Sequence, residues 1–216
     1  MLTKLILIEG LPGSGKTTTT SSLGKHLQAQ GVSSRWYVED AEPHPIDCLN
    51  FALEDLAMKM PVLWGEFAIA EAQNNGVTII ESRLWQNTAM FMYLAEYSVS
   101  EILDFHRLVW SELSPLSPLL INLHHKHVES GLRSVFSSRG EEWVNKALMP
   151  LGEYPRFQRR SQNDFTGWVA FFKDWLNVSD RLYQDWAYEK IIVNNPYDDW
   201  ELTFSTILNA LDLESH

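Results

Sequence analysis

Eight consecutive residues constrain this chain more than any others: Gly10-Leu11-Pro12-Gly13-Ser14-Gly15-Lys16-Thr17. They match G-x-x-x-x-G-K-[ST] in full, a pattern that composition alone produces in about one chain of this length in a hundred. Glycines let successive backbone N–H groups turn inward around phosphate oxygens, and the positive end of a following helix adds a favourable dipole. The flanks supply what such a loop requires. Leu2–Ile8 is short, almost wholly apolar and stopped by Gly10, which predicts a buried strand. Residues 16–30 predict a helix closed by Gly31. Gly10, Gly13, Ser14, Gly15, Lys16, Thr17 and Thr18 are therefore the candidate nucleotide-binding residues. In this loop Lys16 reaches the β- and γ-phosphates and the Thr17 hydroxyl holds Mg²⁺. Thr18, Thr19 and Thr20 open the helix, where hydroxyls bond locally.

Strands and helices alternate along the rest of the sequence. Ser33–Glu39 predicts a second strand, ending in the acidic, proline-punctuated loop DAEPHP. Helices are expected over 47–59 and 62–75, separated by Pro61, before a third, β-branched strand, Val77–Glu81. Further helices are expected over 84–96 and 99–113, the latter opening on a capping box from Ser98 to Glu101. A fourth strand follows at Leu119–Leu123. Next come a helix over 127–139 that ends at Gly140, a shorter helical stretch to Met149, and a loop from Pro150 to Pro155 before the basic run Arg156–Arg160. A long helix over 164–186, a last strand Lys190–Val193 and a final helix over 198–212 complete the chain. This order calls for a mostly parallel sheet with helices on both faces, in one domain spanning 1–216. Ligands of such sheets bind at the carboxyl ends of the strands.

Composition narrows the function. A net charge of −11 argues against non-specific binding to nucleic acid or to anionic membranes. The one cysteine, Cys48, cannot form an internal disulfide, and no apolar run approaches the roughly 18 residues of a spanning helix. A cytoplasmic protein is the expectation. Charge is unevenly placed: 126–160 holds seven basic residues against four acidic ones, a net +3 that leaves −14 on the rest. A phosphate-covering lid needs such a segment, because charge on a transferred phosphoryl group requires guanidinium partners; a solvated basic face is the alternative.

A phosphate loop alone fits kinases, GTPases, motor ATPases and helicases. The guanine-reading N-K-x-D is absent, Asn145-Lys146 being followed by Ala147-Leu148, and 216 residues leave little room for a motor. The chain resembles the P-loop nucleoside and nucleotide kinases, in particular the thymidylate-kinase-like group. The resemblance is carried by Gly10–Thr17, by Glu39 with Glu42-Pro43 after the second strand, by Glu81-Ser82-Arg83 after the third, and by Arg133 and Arg139 after the fourth. It implies a three-layer P-loop NTPase fold with a five-stranded parallel sheet in the order 2-3-1-4-5 and an arginine-bearing lid around 126–160. It also implies ATP-dependent, Mg²⁺-dependent transfer of the γ-phosphoryl group to a small-molecule hydroxyl or a nucleotide. Glu39 is then the expected base, with Asp40 and Glu42 as alternates. Glu81 is expected to hold Mg²⁺ through water and Arg83 to orient the acceptor, while Arg133 and Arg139 close over the phosphates. For each carboxylate an exposed or purely structural role stays open, and Arg156, Arg159 and Arg160 are alternate lid arginines.

Other features have simpler readings. Six carboxylates and no Lys or Arg lie between Trp36 and Met58, which favours an unphosphorylated acceptor. Closely spaced histidines at 124, 125 and 127 on a strand-to-helix turn point in different directions and are set aside as a metal site. Trp168, Trp175 and Trp186 share a helix face and read as core or subunit contact, whereas Trp64 and Phe67 are candidates for stacking on the acceptor. The expected partners are ATP and a small-molecule acceptor, with a homodimer left open. The rival functions are a nucleotide-hydrolysing switch acting through a partner protein and a nucleotide-binding module without transfer.

Overall fold

The computed structural model describes residues 3–47, 51–160, 163–196 and 199–211. Five parallel strands form one sheet: β1 (Leu5–Gly10), β2 (Ser34–Tyr37), β3 (Val77–Glu81), β4 (Leu119–His124) and β5 (Lys190–Asn194). Their order is β2-β3-β1-β4-β5, so β1 lies in the centre with β3 and β4 beside it. The expected order 2-3-1-4-5 is the observed one. Side-chain alternation divides the sheet between two cores. Leu5 and Leu7 join Ile80 and Leu120 on one face, and Ile6 and Ile8 join Ile79, Ile121 and Val193 on the other. Both faces are covered, which is why these strands read as continuous apolar runs rather than alternating ones.

Helices α1 (Lys16–Ala29) and α8 (Trp200–Ala210) cover the second face through Leu23, Leu27 and Ile207. The first face carries the larger core, built from α2 (Leu56–Ala72), α4 (Val99–Glu112) and α7 (Phe165–Asp185). Trp168, Trp175 and Trp186 are buried in it, as a core stripe. Between these elements lie the short α3 (Met90–Leu94), the long α5 (Val128–Ala147) and α6 (Pro155–Arg160). Ser98 and Glu101 form the expected capping box at the start of α4.

Three expectations are corrected. Pro61 does not separate two helices but lies inside α2. A proline there removes one helical hydrogen bond and costs roughly 3 kcal/mol. Burial of Met60, Trp64, Phe67 and Ala68 on the same helix, at roughly 1.5–3 kcal/mol for each large side chain, outweighs it. The helix expected over 84–96 is instead a π-helical turn, Trp85–Ala89, followed by α3. The loop expected from Pro150 to Pro155 is instead a 3-10 turn, Met149–Glu153, leading into α6, which carries the basic run. Residues 48–50, Cys48 among them, lie outside the described residues, as do Leu2 and the ends of the final helix at 198 and 212; the helix expected from 47 begins at Leu56, after a 3-10 turn at Leu53–Asp55. Gly140, at φ 72° with open space where a Cβ would lie, interrupts α5 where the sequence places a helix end. Among the described residues no helix is long and apolar enough to cross a membrane.

Candidate active site

The glycine loop turns at the carboxyl end of β1. Gly10 has φ 156°, and a Cβ there would lie 2.6 Å from the Leu123 carbonyl oxygen of β4 and 2.5 Å from the Ser14 hydroxyl. Gly13 has φ 82°, and its Cβ would meet Val135 Cγ2 of α5 at 2.2 Å. Only glycine satisfies both the positive φ and the close approach at these two positions. The Gly13 contact also fixes where α5 lies: its first half rests on the loop.

Lys16 is buried and donates three hydrogen bonds, to the carbonyl oxygens of Gly10 and Leu11 at 3.0 Å each and to Gln86 Oε1 at 2.8 Å. The Thr17 hydroxyl donates to Glu81 Oε1 at 2.7 Å. Glu81, the last residue of β3, is buried, and burial pushes its carboxyl above the ordinary range against the pull of Lys16 and Thr17. Thr18 is exposed on α1.

The residue after Glu81 decides the geometry of the next loop. Ser82 has φ 63°, a left-handed backbone that is costly for a residue with a Cβ and is found where surrounding structure holds it. That turn directs the two flanking side chains to the same target. Glu81 Oε2 accepts from the Glu39 backbone N–H at 3.3 Å, and the Arg83 guanidinium donates to the Glu39 carbonyl at 2.8 Å. The side chain of Glu39 is held separately, both carboxylate oxygens accepting from Gln86 Nε2 at 2.9 and 3.1 Å. Glu39 is thus fixed at three points, whereas Asp40 and Glu42 are exposed. Arg83 is 2% exposed, and its Nε and second amino group have no hydrogen-bond partner among the described residues. Burial, helped by the nearby Arg83 charge, pushes His44 down to about 4, and its Nδ1 accepts from the Ile46 N–H at 3.0 Å.

The structure therefore brings Lys16, Thr17, Glu39, Glu81 and Arg83 together and engages the other arginines elsewhere. Arg133 is exposed, pairs with Glu129 at 2.8 Å and lies over the Phe165 ring; Arg139 lies over Trp143. Arg156 donates to the Tyr93 carbonyl and stacks on that ring, Arg159 pairs with Glu96, and Arg160 pairs with Asp174. Trp64 is fully buried against Phe67 in the core, which removes it as an exposed stacking platform. His124 pairs with Asp180 at 3.0 Å, and His125 packs against Gly131.

Two residues of the site are absent from the sequence reading. Gln86 carries no motif and owes its position to the π-helical turn, a feature that recurs at functional sites. Glu9 had a signal, a carboxylate in an otherwise apolar strand. It is 1% exposed, and its Oε1 accepts from the backbone N–H groups of Leu84 and Trp85 at 2.9 and 3.1 Å, joining β1 to the turn that carries Gln86. Burial pushes its carboxyl up to about 7 from an ordinary 4.5, while those N–H groups and Lys16 pull the other way. Between pH 4.5 and 7 the folded chain holds a proton at Glu9 that the unfolded chain has lost, so this group makes stability fall as pH rises. The cost is complete above pH 7 and amounts to about 3 kcal/mol. Glu9→Gln, uncharged throughout, should therefore gain about 3 kcal/mol relative to wild type between pH 4.5 and 8 in urea titrations. A difference that stays constant across that range would contradict this account.

The oxygen donors here fit a hard cation. Among the described residues no group of three or more His, Cys, Asp or Glu could hold a metal alone. Mg²⁺ at phosphoryl-transfer sites needs no such cage, since one or two protein oxygens suffice beside phosphates and water. The adjacent Thr17 hydroxyl and Glu81 carboxylate offer two.

In sequence, no family model and no curated protein matches the chain. In structure it is similar to the thymidylate kinase of Ehrlichia chaffeensis, with a TM-score of 0.56 over 97% of this chain and 98% of that one at 11% identity. The deoxyadenosine kinase of M. mycoides with bound dCTP matches with a TM-score of 0.49, 15% identity and 96% and 98% coverage. At 11% identity the first likeness establishes a P-loop kinase fold and carries no substrate with it.

Proposed function

We propose that the chain is an ATP- and Mg²⁺-dependent kinase of a small molecule, transferring the γ-phosphoryl group to a hydroxyl or to a nucleotide. The observation that carries this reading is the convergence on Glu39. The Glu39 carboxylate, held by Gln86 on a backbone that Glu81 and Arg83 fix, lies one side chain away from the lysine of a complete phosphate loop. A simple nucleotide-binding module has no need of a carboxylate held in that place, and a hydrolysing switch would use one on water, without an acceptor.

Phosphoryl transfer demands positioning and charge neutralisation more than covalent chemistry. In this reading Lys16 and the loop N–H groups hold the β- and γ-phosphates, and Thr17 with Glu81 would hold Mg²⁺. The metal, when bound, neutralises charge on the phosphate oxygens. With a hydroxyl acceptor, the Glu39 carboxylate takes its proton as the acceptor oxygen bonds to the γ-phosphorus; the bond from that phosphorus to the β–γ bridging oxygen breaks and ADP leaves. Arg83 orients the acceptor through the guanidinium nitrogens it does not give to Glu39. A phosphorylated acceptor would find its compensating charge there, so the acidity of the loop after β2 does not by itself decide between a nucleoside and a nucleotide. The segment 126–160 acts as the lid, a role supported by its net positive charge, by the contact of α5 with Gly13 and by the break at Gly140. Arg133 and Arg139, paired with neighbours here, would have to exchange those partners to reach phosphate.

The test is a panel of nucleosides, nucleoside monophosphates, sugars and amino alcohols, with ADP formation as the readout. ADP that forms only with one acceptor class supports a kinase and names the acceptor. Hydrolysis independent of acceptor and stimulated by a protein fraction would support the switch instead.

A further inference from the structure

Gln86 joins the two halves of this site through one amide. Its Oε1 accepts from Lys16 and its Nε2 donates to both oxygens of Glu39. The orientation is chemically determined: reversing the amide would set its NH₂ against an ammonium group and its carbonyl against a carboxylate. An ammonium group has three N–H donors, and all three of Lys16 are engaged, two by carbonyls of its own loop and one by Gln86. Lys16 must give up one of these bonds to donate to a phosphate oxygen. Among its three acceptors Gln86 is the one carried on a rotatable side chain, and it is half-buried rather than packed in the core.

From this geometry we infer that Gln86 is a positioning residue that couples nucleotide binding to release of the Glu39 carboxylate. The inference rests on the roles given to Lys16 and Glu39 under the proposed function. When Lys16 turns to a phosphate, Gln86 Oε1 loses its donor, the amide rotates away, and Nε2 leaves Glu39. The carboxylate then has both oxygens open to an acceptor proton, while Glu81 and Arg83 still hold the Glu39 backbone in place. Nucleotide is therefore bound first, and the base becomes available as a consequence. Such coupling is reciprocal, so the hold of Gln86 on Lys16 also weakens nucleotide binding.

Two variants move nucleotide affinity in opposite directions. Gln86→Leu has similar volume and neither hydrogen bond; it should bind MgADP and MgATP about three- to tenfold more tightly by calorimetry, because Lys16 has one bond fewer to break. Gln86→Glu sets a carboxylate against Lys16 and should weaken both nucleotides by about tenfold or more. A purely structural role would weaken binding in both variants. The coupling is overturned if Gln86→Leu, melting within a few degrees of wild type, binds nucleotide no more tightly than wild type does. Should Gln86→Leu not fold, Gln86→Met is read by the same criterion. A wild-type chain that bound neither MgADP nor MgATP would overturn the proposed function itself, whereas wild-type binding unchanged by Gln86→Leu overturns only the coupling.

Discussion

Lys16→Ala is expected to lower phosphoryl transfer by on the order of 10²- to 10³-fold while the chain stays folded. A preorganised cationic donor aimed at developing charge in a water-poor site is worth about that much. The cost to the fold is smaller. Alanine leaves the buried Leu11 carbonyl without its donor, at about 1–3 kcal/mol, while the part-buried Gly10 carbonyl and Gln86 amide can turn to water instead. The β1, β3 and β4 contacts that build the site do not involve Lys16. The measurement is turnover with the acceptor found by the panel, read beside a thermal melt by circular dichroism. Wild-type turnover in the variant would mean that Lys16 does not serve the transferred phosphate.

Glu39→Gln is the second large effect, a fall in turnover of about 10²- to 10⁴-fold with modest change in nucleotide affinity. Glutamine has the shape of glutamate and keeps a carbonyl oxygen for the Gln86 N–H. It cannot accept the acceptor's proton. Because Glu81 and Arg83 bind the backbone of residue 39 and not its side chain, the loop after β2 should remain where it is. The loss should therefore appear in kcat, with the nucleotide KM nearly constant. Unchanged turnover would shift proton acceptance to Asp40 or Glu42, the exposed carboxylates of the same loop.

What could be read from the chain was local. The phosphate loop was legible because its chemistry depends on consecutive residues, and its glycines answer to constraints any eight-residue window displays. The strands were legible as short β-branched and apolar runs, and alternation with helices implied the parallel sheet. Chain order placed the loop after β2 where such folds bind ligands, and the family resemblance singled out Glu39 within it, with Asp40 and Glu42 as alternates. Pro61 misled because local propensity was set against a burial term that only the packed helix reveals. Trp64 misled for the same reason: an aromatic near a site and an aromatic in the core look alike in one dimension.

The arginines mark the boundary most clearly. Sequence located a basic segment between 126 and 160, and Glu129 and Trp143 are local partners four residues from Arg133 and Arg139, but Phe165, Tyr93, Glu96 and Asp174 reach their arginines only through the packing of α3, α5, α6 and α7. Gln86 is the same case at the centre of the site. It is 70 residues from Lys16 and 47 from Glu39, and no spacing rule connects the three. A glycine loop between strand and helix is legible in one dimension, because that information is contiguous. Tertiary structure alone decided that the left-handed turn at Ser82 aims Glu81 and Arg83 at one backbone, and that a single amide spans Lys16 and Glu39. Hydrogen bonds between distant residues are set by where the strands end in space, and that position is a property of the whole sheet.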